Sequence, residues 1–156
     1  MKSISQELIS RVIKKRKSAT HKGNYGRLLL IGGSKKYGGA LIMAAEGALN
    51  SGAGLVTVAT DQVNIAALHT RDPEIMALNW DESIELKNLI KSSDVVVCGM
   101  GLGLDDKAQQ ILRLVRDNIT LKQTLILDAS ALDLIGQQND LLTLNSKILI
   151  FTPHQM

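Results

Sequence analysis

The stretch RLLLIGGSKKYGGALIMAAEGALNSGAGLVTVAT, residues 27–60, decides the fold. Arg27 to Ile31 is an apolar run of strand length, and it leads straight into Gly32-Gly33-Ser34. A second pair, Gly38-Gly39, opens an alanine-rich helix from about Ala40 to Asn50. Gly52 and Gly54 end that helix and release a second strand, Leu55 to Thr60. Strand, glycine loop, helix and strand in this order make a unit of βαβ size. Seven of the thirteen glycines fall between Gly32 and Gly54. Glycines placed after a strand and before a helix let backbone amides approach a ligand, and the helix start adds unpaired donors and the positive end of its dipole.

The rest of the chain repeats the pattern. Asp94 to Cys98 (DVVVC) is a continuous apolar strand, as expected when both faces of a sheet are covered. Gly99-Met100-Gly101-Leu102-Gly103 follows it directly, and Asp105 and Asp106 open a helix to about Asn118. Thr124 to Leu127 is another buried strand, ending in Asp128, and Lys147 to Phe151 is the last, followed by Thr152-Pro153-His154-Gln155-Met156. Asp61 is a plausible cap for a short helix to His69, and Ser83 to Lys91 forms another. Ahead of all this, Ser3 to Lys17 carries Ile4, Leu8, Ile9, Val12 and Ile13 at helical spacing, with Ser3 or Ser5 as cap. Five strands, near 27–31, 55–59, 95–98, 124–127 and 147–151, alternate with helices. They predict a three-layer α/β/α domain around a mostly parallel sheet. Glu74-Ile75-Met76 begins a further short strand after the turn at Arg71 to Glu74. The small-residue stripe Ala40, Ala44, Ala45 and Ala48 is expected to let its helix sit close on the sheet. Two glycine loops at the carboxyl ends of strands place a ligand at that edge.

Composition narrows the classes. The chain has 156 residues, a formal charge of +3 and an apolar share of 45%, which suits one globular domain and is too mild a charge to imply nucleic acid. No apolar run reaches membrane-spanning length and no signal peptide is apparent, so a cytoplasmic protein is expected. Cys98 is the single cysteine, which excludes an internal disulfide and reads as an inert core thiol. No metal-ligand set is read from the sequence. Lys22 reads as a phosphate contact or an exposed loop lysine, and Glu74 as a structural carboxylate. Asp128 is open between three duties: facing the site, binding a metal or capping the next helix.

The order G-G-S-x-x-Y-x-G-A followed by A-L-x-S-G-A-G-L-V resembles the ADP/ATP-dependent NAD(P)H-hydrate dehydratase family. That family has a ribokinase-like fold and was long labelled a carbohydrate kinase. The likeness begins at His21-Lys22-Gly23 and continues through P-E-x-M at Pro73, L-D-A-S-A-L at Leu127 and T-P-H-Q-M at Thr152. Met100 stands where the family usually has proline, and Ser130 where it has an acidic residue. The resemblance implies repair of hydrated NADH or NADPH with ADP or ATP as phosphoryl donor and Mg2+. A hydroxyl at C6 of the reduced ring leaves poorly. Phosphorylation makes it a phosphate ester, the ring nitrogen expels phosphate, and loss of a proton restores the dihydronicotinamide. By the same resemblance Ala40, Gly103 and His154 occupy substrate-contact positions. Gly33, Ser34, Tyr37, Gly39, Gly101 and Asp128 are further candidates around them.

The family's G-T-G-D, with its anion hole and catalytic Asp, does not occur in residues 1–156, and the resemblance puts it beyond Met156. The expectation is therefore an N-terminal portion of a single ribokinase-like domain, ending at Met156 inside the T-P-H-Q-M motif. It carries the substrate side, is inactive by itself, and is exposed at its last strand. A homo-oligomer, a tetramer among the options, or a partner segment would follow. Partners are small-molecule nucleotides, with no nucleic acid and no membrane. Two alternatives stand beside this: a ribokinase-like sugar or vitamin-precursor kinase, and a non-enzymatic truncated binding or assembly module. An ordinary nicotinamide dehydrogenase fits less well, because the first loop is not G-x-G-x-x-G.

Overall fold

The computed structural model describes residues 4–12, 19, 21–137 and 143–153. A first helix, α1 (Gln6–Val12), is capped by Ser5, whose Oγ accepts from Leu8 N at 3.2 Å. The expected extension of this helix to Lys17, and Ser3 as its alternative cap, lie outside the described residues. So does the end of the T-P-H-Q-M motif, His154 to Met156. Six strands follow α1: β1 (Arg27–Ile31), β2 (Leu55–Thr60), β3 (Met76–Asn79), β4 (Val95–Cys98), β5 (Thr124–Asp128) and β6 (Ile148–Thr152). Between them run α2 (Gly38–Asn50), α3 (Gln62–Arg71), α4 (Ser83–Ser92), α5 (Asp106–Asn118) and α6 (Ser130–Gln137).

The sheet order is β3-β2-β1-β4-β5-β6, and every pairing is parallel. The chain builds outward from β1 through β2 to β3, then returns to the other side of β1 for β4, β5 and β6. The direction of winding reverses between β1 and β4. The loops after these two strands both leave the sheet at its carboxyl edge beside this reversal, the position where doubly wound sheets bind ligands.

Side-chain alternation sorts the core into two layers. Leu29 and Ile31 of β1, with Val96 and Cys98 of β4 and Leu125 and Leu127 of β5, face α4, α5 and α6. Leu30 of β1, with Val56 and Val58 of β2, faces Leu41 and Ala45 of α2 and Leu68 of α3. The expectation of α/β/α layering therefore holds, with all strands parallel. The short strand expected to begin at Glu74 is the edge strand Met76–Asn79, which starts two residues later and adds a sixth to the five marked by apolar runs. Its four residues are too short and too mixed in polarity to show a period.

The last strand differs from the rest. All five of its residues are exposed, with Phe151 at 50% and Ile148 at 49%. Register places Leu149 and Phe151 beside Leu125 and Leu127, and Ile148 and Ile150 beside Thr124 and Ile126. Both faces of β6 thus leave apolar side chains about half exposed among the described residues.

Candidate functional site

The glycine loop after β1 lies against the loop after β4. Gly33 N donates to Met100 O at 2.8 Å, and Ser34 N donates to Gly101 O at 2.6 Å. Glycine is required at these crossings. A Cβ on Gly32 would overlap Met100 O, and one on Gly101, at φ +60°, would overlap Tyr37 O. Gly33 and Ser34 are candidates by resemblance, and in the structure their amides are spent on the second loop.

The donors that remain belong to α2. That helix starts at Gly38, two residues earlier than the alanine run suggests, and its N-cap Tyr37 offers no side-chain cap. The helices on either side of the crevice are capped: Asp61 accepts from Val63 N at 3.0 Å and Asp105 accepts from Ala108 N at 2.9 Å. Of these three openings, α2 alone keeps its first-turn amides free of a side-chain acceptor, and such an end attracts anions. Gly39 faces open space, with no atom within 4 Å of a Cβ built there, and Ala40 is exposed beside it. Gly39 and Ala40 are accordingly accessible, just past Tyr37.

Gly103 stands at the opposite wall, at φ +91°. A Cβ on it would lie 3.8 Å from Ser34 Oγ, an ordinary contact distance, so Gly103 and Ser34 approach each other without a clash. Its amide donates to Ser130 Oγ at 3.3 Å, so Gly103 offers its missing side chain and its carbonyl rather than its N–H. The serine that stands in the place of an acidic residue thus ties the β4 loop to the start of α6. Asp128 neither caps α6 nor joins an acidic group: its Oδ1 accepts from Thr152 Oγ1 at 2.7 Å, linking the ends of β5 and β6. Between it and Ser130, Ala129 takes φ +42°, the one positive φ at a non-glycine position among the described residues. His154, expected as a substrate contact, and Met156, beyond which the catalytic Asp is expected, lie outside the described residues.

The crevice has a volume of about 460 Å³ and is lined by Ser34, Lys35, Lys36 and Tyr37 on one side. Leu102, Gly103 and Leu104 lie on the other, with Asp61, Trp80, Asp81, Asp105 and Lys107 beyond. Lys107 is paired with Asp81, whereas Lys35 and Lys36 sit exposed on the loop that leads to α2. Cationic side chains beside uncapped helix amides suit a phosphate-bearing ligand. Sequence reasoning does not single out Trp80 or these lysines. Trp80 follows a strand that is weakly signalled, and isolated lysines carry no pattern. A second hollow, of about 380 Å³, lies at the opposite edge between Lys22, Glu74 and Gly54. Lys22 and Glu74 pair there at 3.2 Å, which makes Glu74 structural and places Lys22 away from the glycine loops.

No three His, Cys, Asp or Glu residues converge as a metal site among the described residues. Cys98 is buried in the core, and desolvation pushes its thiol up to about 12. It takes no part in the crevice.

A parallel α/β/α sheet with its glycine crevice at the β1/β4 reversal defines a ribokinase-like domain. A crystal structure of a ribokinase-like superfamily protein from Enterococcus faecalis superposes with a TM-score of 0.92 at 45% identity, over 98% of this chain and 54% of that one. The sequence profile described as NAD(P)H-hydrate dehydratase matches residues 28–156, and the chain belongs to that family. It is 47% identical over its full length to the ADP-dependent (S)-NAD(P)H-hydrate dehydratase of Enterococcus faecalis, covering 53% of that protein. To the enzyme of the same name from Lactiplantibacillus plantarum it is 48% identical, covering 55%. A Bacillus subtilis ADP/ATP-dependent NAD(P)H-hydrate dehydratase, co-crystallised with ATP/Mg2+, superposes with a TM-score of 0.69 at 28% identity, over 82% of this chain and 46% of that one. The chain spans about half the length of the curated relatives it matches.

Proposed function

We propose that the chain carries the substrate side of an ADP- or ATP-dependent dehydratase that repairs the S epimer of hydrated NADH or NADPH. The observation that supports it best is the crevice between the β1 and β4 loops, with the uncapped start of α2 and the exposed Lys35 and Lys36 on one wall. A dinucleotide brings a pyrophosphate, which such amides and cations hold, and two ribosyl groups, which fit against Gly39, Ala40 and Gly103 where no side chain intrudes. His154, next to the end of β6 in sequence, is kept as a substrate contact by resemblance, with Tyr37 at the mouth.

The phosphoryl-transfer half of the reaction needs a base beside a backbone anion hole. Asp128, Asp105 and Asp61 are each engaged by a donor of the chain itself. None stands in a G-T-G-D context, and the resemblance assigns that motif to polypeptide beyond Met156. Mg2+ would arrive on the nucleotide phosphates, which is how this ion is commonly held. Residues 1–156 are therefore proposed to bind substrate in the cytoplasm, to pair with further polypeptide or with copies of themselves, and not to complete turnover alone. The test is absorbance at the reduced nicotinamide band, with hydrated NADH, Mg2+ and ADP or ATP. The expected outcome is no nucleotide-dependent recovery of NADH by residues 1–156. Recovery would place the base among Asp128, Asp105 and Asp106 and make Asp128→Asn the first variant. A kinase reading would instead show phosphate transfer to a sugar or vitamin precursor without any change in that absorbance.

A further inference from the structure

Two buried polar side chains outside the crevice converge on one backbone atom of the glycine loop beside it. Thr60 is fully buried and Asn64 is 8% exposed. Thr60 Oγ1 donates to Gly33 O at 2.8 Å, and Asn64 Nδ2 donates to the same oxygen at 2.6 Å and to Thr60 Oγ1 at 3.0 Å. Asp61 N adds a longer bond to Gly33 O at 3.3 Å. The core is otherwise almost wholly apolar here, and a buried amide and hydroxyl are costly unless fully used. A carbonyl that accepts three donors cannot rotate its peptide plane without leaving them unpaired. That plane carries the Ser34 N–H to Gly101 O on its other edge. Gly33 itself holds φ +67°, and a Cβ there would come within 2.7 Å of Thr60 Oγ1. The same Asn64 reaches the start of α2, where a Cβ on Gly38 would overlap its Oδ1.

We propose that Thr60 and Asn64 are positioning residues: they fix the Gly33 carbonyl and thereby hold the glycine loop and the opening turn of α2 in the shape that accepts the dinucleotide. The pair comes from the end of β2 and the first turns of α3, which touch neither Gly39 nor Gly103. It acts through the loop rather than on the ligand. The inference rests on the reading that this crevice binds NAD(P)H-type ligands, and its test separates the two.

Residues 1–156 and the variants Thr60→Val, Thr60→Ser, Asn64→Leu and Gln123→Leu are compared at a temperature where all are folded. Gln123 is a matched control, buried and bonded to Ile90 O and Ser93 O on the far side of the sheet. Amide exchange at Gly33 and Ser34 is read first, then the dissociation constant for NADPH. Thr60→Val keeps the shape of threonine and removes the hydroxyl, so exchange at both amides should quicken about tenfold and affinity fall about tenfold, the effect of one or two lost hydrogen bonds. Thr60→Ser should restore both, Asn64→Leu should behave as Thr60→Val, and Gln123→Leu should lower thermal stability with exchange and affinity near the parent. Unchanged exchange in Thr60→Val and Asn64→Leu overturns the positioning role whatever the ligand does. Quickened exchange with unchanged NADPH affinity, or an equal loss in Gln123→Leu, overturns it as well. Failure of the parent to bind NADPH overturns the functional reading, and exchange then decides whether the loop is held as described.

Discussion

Glycines of this chain do opposite jobs within a few residues. Gly33 has neighbours at 2.7 and 2.8 Å from any Cβ and a positive φ, so its lack of a side chain serves packing. Gly39 has open space, so its lack of a side chain leaves room for something outside the chain. The sequence shows both as glycine pairs before a helix and cannot distinguish them, because the difference lies in what the β4 loop and Thr60 bring up from elsewhere. Gly103 is intermediate: it has space, yet φ +91° makes any substitution there strained. Gly39 is therefore the clean position for a binding test. Cys98 gives a second prediction at this scale. Burial raises its thiol from 9.0 to about 12. The unfolded chain loses the proton near the lower value while the native chain retains it. Stability from this group is thus complete below about pH 9 and declines as pH rises toward 12. Alkaline denaturation should show this decline, and Cys98→Ala should flatten it; a parallel decline in both would assign it to other groups.

The helices show which local signals survive folding. Asp61 and Asp105, expected as caps, accept the bonds expected of them. The alanine stripe of α2 is only partly as read. Ala45 is fully buried against the sheet, Ala44 and Ala48 flank it half-buried, and Ala40 is exposed. Helical periodicity shows the stripe, but the direction of the helix over β1 and β2 decides which alanine touches. Ala45→Leu should overpack this contact and destabilise by about 1–3 kcal/mol, more than Ala44→Leu. Equal denaturation midpoints for the two variants would contradict the placement. The Thr60–Asn64 pair leaves no signal in the sequence. A threonine ending a strand and an asparagine one turn into a helix look like ordinary polar positions until the glycine loop folds over them.

Across the whole molecule, apolar strand runs joined by glycine turns made the layered sheet legible, and the order of those strands was not. Nothing local says that β4 returns beside β1, although that reversal creates the crevice. The exposed last strand follows from the same order. A parallel strand is ordinarily covered on both faces, and among the described residues β6 is only partly covered on either. Leu149, Ile150 and Phe151 are 41%, 41% and 50% exposed at a strand edge. Residues 1–156 should consequently self-associate on light scattering and bind a hydrophobic dye, and Ile150→Lys should reduce both. A monodisperse monomer without dye binding would show that the strand is satisfied in another way.

The central claim is that the β1/β4 crevice receives a reduced nicotinamide dinucleotide at the open start of α2. It is tested most directly by titrating NADPH into residues 1–156 and following the fluorescence of Trp80, the single tryptophan, which lines the crevice. The parent should give a saturable change, and Gly39→Val should lose at least about tenfold in affinity, roughly the 1.4 kcal/mol that blocked backbone approach removes, while its thermal midpoint stays near the parent's. Equal affinity in parent and Gly39→Val, or no saturable binding by the parent, would contradict the account.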